Sequence, residues 1–235
     1  MSQINQIRNI SFWIFLLPII VLNLCLFISV NHHLLEDTIF TVSQIGRVDF
    51  TIPYIDGGVS ISRTARTYPA YLIFKPGMII TAILLIKYWI ESNNLIQKIN
   101  NETEKRKLFL TFGILSAVFL ILHSIFLGVH FDNDLYKLFR RIILLSFILF
   151  EIAAQTLLVL ALFKLKNKIA DIINKRILIL KIILVSILAI TALASLPILT
   201  TSGNVQFKHA LEWDYFIGVS LFYLLTFLFW KKESS

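Results

Sequence analysis

The sequence predicts an all-α integral membrane protein, a six-transmembrane-helix bundle in three hairpins. Three observations carry that prediction. Of the 235 residues, 57% are hydrophobic and only 15% charged, where a soluble domain is about a quarter charged. The apolar residues fall in blocks of about twenty, the length that spans a bilayer core. Between the first two blocks lies the one long polar passage, Asn31 to Gly77. A soluble fold has too little interior for this much Ile, Leu and Phe, and the mean hydropathy is +0.79.

The first span is expected over Ile10–Val30, with Pro18 and Asn23 inside it. Neighbouring helices can re-satisfy the backbone groups that such residues disturb. This block is too long for a signal-peptide core and has no A-x-A-like exit, so it is read as a retained span. The second span, Ala70–Ile90, has Lys75 and Lys87 near its ends, where long side chains reach the headgroups. The third is Leu108–Val129, the fourth Ile142–Phe163, and the fifth Ile177–Thr200, with Lys181 near its start. The sixth, Leu211–Trp230, reaches bilayer length only with Glu212 and Asp214 at the interface. Trp13, Trp89, Trp213 and Trp230 all fall at span ends, the pattern of an aromatic belt. The whole chain reads as one six-span domain, with residues 31–69 as a loop inside it.

Lys and Arg distribution sets the expected orientation. With both termini cytoplasmic, that side holds Arg8, Lys98, Lys105, Arg106, Lys107, Lys164, Lys166, Lys168, Lys175, Arg176, Lys231 and Lys232. The other side holds Arg47, Arg63, Arg66, Lys137, Arg140, Arg141 and Lys208, seven against twelve. The long first loop is then extracytoplasmic. Thr38–Val42 and Val48–Ile52 alternate in polarity, which fits a short β-hairpin there. Asn101-Glu-Thr103 fits the glycosylation acceptor pattern; this topology keeps it bare, and glycan on Asn101 would reverse the orientation. The net charge of +8 belongs to this membrane pattern, and no nucleic-acid motif accompanies it. The single Cys25 lies inside the first block and forms neither an intramolecular disulfide nor a cysteine metal cluster.

Several residues invite chemistry. Glu151 lies near the bilayer midplane with Gln155 one turn later, a costly placement for a carboxylate. The two fit an interhelical polar clamp or a proton or substrate site. Ser116, His123 and His130 share one face of the third span, so His123 can meet Glu151 in a hairpin of spans three and four. His130, Asp132 and Asp134 could supply metal ligands, although a solvated loop also accounts for them. His209 and Asp214 have the H-x4-D spacing of some acyltransferases, without an accompanying substrate motif. Ser186, Ala189, Ala192 and Ser195 recur at helical spacing and predict close helix packing. Lys164, Lys166, Lys168, Lys175 and Arg176 can hold anionic lipid or serve topology alone. Arg63, Arg66, Lys75, Arg140 and Arg141 are the headgroup candidates on the outer side, because guanidinium forks match phosphate oxygens. Their alternative partners are Asp49, Asp56, Asp132 and Asp134. No cofactor or metal is implied.

Two stretches resemble a known family. The loop end and second span read Ile61-Ser62-Arg63-Thr-Ala-Arg66-Thr-Tyr-Pro69-Ala-Tyr-Leu-Ile-Phe74-Lys-Pro-Gly77. The sixth span opens on Glu212-Trp213 and closes on Tyr223-Leu-Leu-Thr226-Phe227. Both resemble the six-span damage-regulated autophagy modulator-like group (DRAM/Frag/Sfk). The sequence departs from that group at Ala70, where an acidic residue is usual, and at Arg140-Arg141, near the place of a usual His. The resemblance implies six spans, a long first outer loop and a role in autophagy or lipid homeostasis, with no shared catalytic mechanism.

Three functions remain open from the sequence. The first is a non-enzymatic membrane protein that binds or organises lipids or scaffolds membrane partners. The second is a small proton-coupled transporter using His123, Glu151 and Gln155. The third is an intramembrane lipid-modifying enzyme using His130 or His209.

Overall fold

The computed structural model describes residues 3–100, 108–129, 134–200 and 203–231. The protein is all α, with six long apolar helices as candidate transmembrane spans. They are α1 (Gln3–Val30), α4 (Tyr71–Asn100), α5 (Leu108–Phe126), α6 (Asp134–Lys164), α7 (Lys175–Thr200) and α8 (Val205–Phe229). Two short helices, α2 (Pro53–Asp56) and α3 (Ile61–Ala65), lie in the loop after α1. In hydrocarbon the backbone must satisfy its own polar groups, so uncharged apolar runs fold as helices. On α7, Ile179, Ile183, Ile187, Ile190 and Leu193 are exposed. A soluble protein rarely leaves such an apolar face bare. This is a multi-pass integral membrane protein.

The spans pack in sequence order as a closed ring. Each packs against the next along the chain, and α8 returns to α1. Several helices outrun the apolar blocks. At 30 residues α4 is about 45 Å long, more than the roughly 30 Å hydrocarbon core. Its last turns tie to the start of α1, where Lys98 Nζ donates to Gln3 Oε1 at 3.0 Å. At that same end, the segment between α6 and α7 pairs with the end of α8. Lys231 N donates to Ile172 O at 2.9 Å, and Asn174 N to Phe229 O at 2.8 Å. Both chain termini therefore lie at one end of the ring, and the long loop lies at the other.

That loop contains no strand. Residues 31–69 form two 3-10 turns, α2, α3 and connecting bends. Among the described residues, the only β pairing is an isolated bridge between Ile173 and Trp230, at the opposite end. The alternating residues do not pair because the loop is held by single anchors on the helices instead. Val48 N donates to Ser29 O at 3.1 Å. Trp213 Nε1 donates to Val59 O at 2.8 Å, and Tyr54 packs edge-on to Trp213. Gly57 ends α2 at φ +59, and a Cβ there would lie 1.8 Å from the Gln206 carbonyl oxygen. Only glycine allows that turn to sit on α8.

Trp89, Trp213 and Trp230 are buried inside the protein; only Trp13 is exposed. The span ends of this ring carry protein contacts as well as headgroups, so position along a span does not reveal what a tryptophan faces. Asn101–Thr103 lies outside the described residues.

Candidate functional site

The interior polar residues form two clusters along α8. In the first, Glu151 is fully buried. Ser116 Oγ donates to its Oε2 at 2.5 Å, Gln155 Nε2 donates to Oε1 at 3.1 Å, and the Tyr223 hydroxyl also donates to Oε1. Gln155 Nε2 reaches on to Val219 O at 3.2 Å. One carboxyl thus joins α5, α6 and α8. The buried indole N–H of Trp89 also borders the Glu151 carboxyl.

His123 does not pair with Glu151. Ser116, seven residues earlier on the same face, takes that place because the hairpin brings a lower turn of α5 level with Glu151. His123 packs edge-on to Phe74. It lines the same cavity as Glu151, an apolar-walled space of about 90 Å³ that also touches Glu212 and Tyr223. His130 lies outside the described residues, as does Asp132; the side chain of Asp134 is not described. No group of three metal-ligating side chains occurs among the described residues.

The second cluster was not foreseen as a site. Lys181 is fully buried. Its Nζ donates to Thr226 Oγ1 at 2.5 Å and lies 3.8 Å from the centre of the Phe222 ring. The sequence signal was available in Thr226, one turn beyond Tyr223 on α8. Phe227, beside it, carries a cation–π contact from Arg8 at 5.0 Å.

At the loop end, the sequence motifs of the second and sixth spans meet. The Glu212 carboxyl lies against the backbone N–H groups of Ile61 and Ser62 at the start of α3. Ile61 and Phe74 are buried in the core, and the Tyr68–Pro69 peptide is cis. His209 Nδ1 bonds the Gly57 carbonyl at 3.0 Å. Asp214 is exposed; five residues further along a helix, it points about 140° away. The H-x4-D spacing therefore does not make a dyad here.

The five headgroup candidates divide into three places. Arg63, Arg66 and Arg140 converge, with Arg66 within electrostatic reach of the other two. Burial first, then Arg140 and Arg63, lower the Arg66 pKa from its ordinary value; a guanidinium still stays protonated. Among the described residues, the buried Nε atoms of Arg66 and Arg140 have no hydrogen-bond partner. Arg63 Nε donates to the Ile45 carbonyl at 3.3 Å. None of the described carboxylates forms an ion pair with these three. Glu36 takes Arg47 at 3.2 Å, and Asp56 is engaged by Thr51 Oγ1 and the Ile52 and Gly58 amides. Gly128, at φ +83, lets the turn after α5 approach the Arg66 backbone; a Cβ there would lie 2.7 Å from the Arg66 carbonyl oxygen. Lys75 sits apart, donating to the Ile125 carbonyl at 3.3 Å. Arg141 turns to the other side of α6, into a groove described below.

The small residues of α7 do not form one packing seam. Ser186 is exposed, while Ser195 is buried and shares a hydrogen bond with the Tyr215 hydroxyl at 2.9 Å. Among the described basic residues of the terminal end, Lys98, Lys164, Lys166, Lys168, Lys175, Arg176 and Lys231 are exposed and Arg8 is half-buried; Lys168 Nζ donates to Asn100 Oδ1 at 3.1 Å. No family model, curated protein or solved structure matches the chain.

Proposed function

We propose that this is a non-enzymatic integral membrane protein that binds an anionic lipid headgroup through Arg63, Arg66 and Arg140. The carrying observation, made among the described residues, is the convergence of three guanidiniums without a carboxylate partner, two of them with buried Nε donors left unpartnered. Like charges held together and partly desolvated repel one another, and an anion relieves that cost. A phosphate oxygen is the natural partner, because guanidinium forks bind it in bidentate fashion. The cluster lies at the loop end, so the positive-inside count assigns it to the outer leaflet.

The resemblance to the damage-regulated autophagy modulator-like group is consistent with this reading. Its support here is spatial: Glu212 faces Ile61 and Ser62, Trp213 anchors Val59, and Tyr223 and Thr226 hold Glu151 and Lys181. A lipid-homeostasis role and scaffolding of other membrane proteins follow from that resemblance as expectations. Glu151 is assigned to the fold, as a clamp across three helices, since three side chains already engage its carboxyl.

The test is a titration of the detergent-solubilised full chain with short-chain phosphatidylglycerol, short-chain phosphatidylcholine and inorganic phosphate. Phosphatidylglycerol should bind, and the Arg66→Ala/Arg140→Ala variant should weaken it by at least about tenfold. Binding of inorganic phosphate with equal strength would make the site one for soluble anions. Equal binding of phosphatidylcholine, or no response to the variant, would remove the reading.

A further inference from the structure

A groove separates α6 from α8 at the loop end, with α7 as its third wall. Its volume is about 730 Å³, within the range of roughly 300–1,000 Å³ typical of sites for small molecules. Its polarity is graded along its length. Arg141, in the third turn of α6, lies on one rim, and Lys208 and His209, in the first two turns of α8, lie on the other. Farther along α6 the wall becomes Leu144, Leu145, Ile148 and Leu149. From Arg141 to Leu149 the helix rises about 12 Å. Ala192 of α7 lines the groove where a larger side chain would fill it. Ala192 packs against the cluster of Ile152, Leu188, Leu211 and Tyr215 on one side and leaves space on its groove side.

We propose that this groove seats an anionic phospholipid drawn from the surrounding leaflet, its headgroup between Arg141, Lys208 and His209 and an acyl chain along Leu145, Ile148 and Leu149. This rests on the reading of the protein as a lipid binder, but it is a separate site from the arginine cluster. Adjacent residues of a helix point about 100° apart, so Arg140 and Arg141 lie on different faces of α6. Charge complementarity selects the occupant. Glu212 is the one carboxylate lining the groove among the described residues, and it is turned to the Ile61 and Ser62 amides. His209 donates Nδ1–H to Gly57 O, which leaves Nε2 to accept a hydrogen bond from a headgroup hydroxyl. A neutral apolar molecule would make no use of the Arg141 guanidinium, and a soluble anion would leave the apolar wall empty.

The experiment uses the full chain in nanodiscs of phosphatidylcholine containing a small fraction of phosphatidylglycerol with a diazirine on its acyl chain. Irradiation and peptide mapping should place adducts on Leu145, Ile148, Leu149 and Ala192. Arg141→Ala and Lys208→Ala should each lower the yield about fivefold, and Ala192→Trp should block it. Ile190→Trp, on the exposed face of α7, should leave it unchanged. Equal labelling by diazirine phosphatidylcholine overturns the proposal. So do adducts spread evenly over Ile183, Ile187 and Ile190 that ignore Ala192→Trp. If the tryptophan variant fails to fold, Ala192→Leu and the two charge variants decide by the same yields. The Arg66→Ala/Arg140→Ala variant should retain the groove adducts. Loss of groove labelling with the headgroup titration intact refutes the groove alone; the converse refutes the arginine cluster alone.

Discussion

Glu151 and Lys181 are both fully buried, yet they are satisfied in different ways. Glu151 has three side-chain donors; without it Ser116 Oγ keeps the Gly113 carbonyl and Gln155 Nε2 keeps the Val219 carbonyl, so the Tyr223 hydroxyl loses most. Glu151→Ala should lower stability by about 1 kcal/mol for each interhelical bond lost, while Glu151→Gln, which keeps the shape, should cost less than half as much; thermal unfolding in detergent separates them. Lys181 has one hydroxyl and aromatic faces. Thr226 Oγ1 also donates to the Phe222 carbonyl at 2.8 Å, so it remains satisfied without the lysine. Lys181→Met keeps the volume and removes a buried charge, so it should leave stability unchanged or raise it by up to about 2 kcal/mol; a clear drop in melting temperature would assign the ammonium a stabilising role. In the loop, hydrogen bonds from Thr51 and the Gly58 and Ile52 amides hold the Asp56 carboxyl below its ordinary value of 3.8. A depressed folded pKa stabilises above the unfolded value and is lost as pH falls through the folded one. Hydrogen exchange at the Ile52 and Gly58 amides should therefore stay slow above about pH 4 and accelerate below it. The Glu151–Gln155 pair was legible because four residues along a helix share a face. The Ser116 partner was not, since several residues on α5 offered the same face and only packing sets their height.

Elements were easier to foresee than their surroundings. Each apolar block became a helix because no other unclosed structure satisfies its backbone in lipid. Tyr71–Asn100 and Asp134–Lys164 nevertheless run well past their apolar blocks, since a helix can continue into polar residues once it has started. The alternating loop residues suggested a hairpin and formed turns, because their partners are helix termini far away in sequence. Three tryptophans that marked span ends proved to be core residues for a similar reason: the ring buries its ends. The turn after α5 supplies the sharpest test at this scale. Gly128→Ala forces an L residue to φ +83 against the Arg66 carbonyl, at a cost of about 1–3 kcal/mol. It should lower the melting temperature and weaken phosphatidylglycerol binding together. Normal headgroup binding in that variant would show that the turn does not position Arg66.

At the scale of the whole molecule, the ring places the arginine cluster and the groove at the loop end. The terminal end carries more basic residues in sequence, and the described ones are exposed apart from the half-buried Arg8. Charge counting could rank the two sides; it could not show that Arg63, Arg66 and Arg140 converge while Lys75 and Arg141 go elsewhere, since that depends on how the chain runs from α3, packed on α1 and α8, to Arg66 beside the turn after α5. The central claim is that the converging arginines hold an anionic lipid. Native mass spectrometry of the gently extracted full chain tests it most directly. The wild type should retain anionic phospholipid, and Arg63→Ala/Arg66→Ala/Arg140→Ala should retain one equivalent fewer at unchanged melting temperature, the groove keeping its own. Equal numbers of anionic lipid on both proteins, or neutral lipids alone on the wild type, would contradict it.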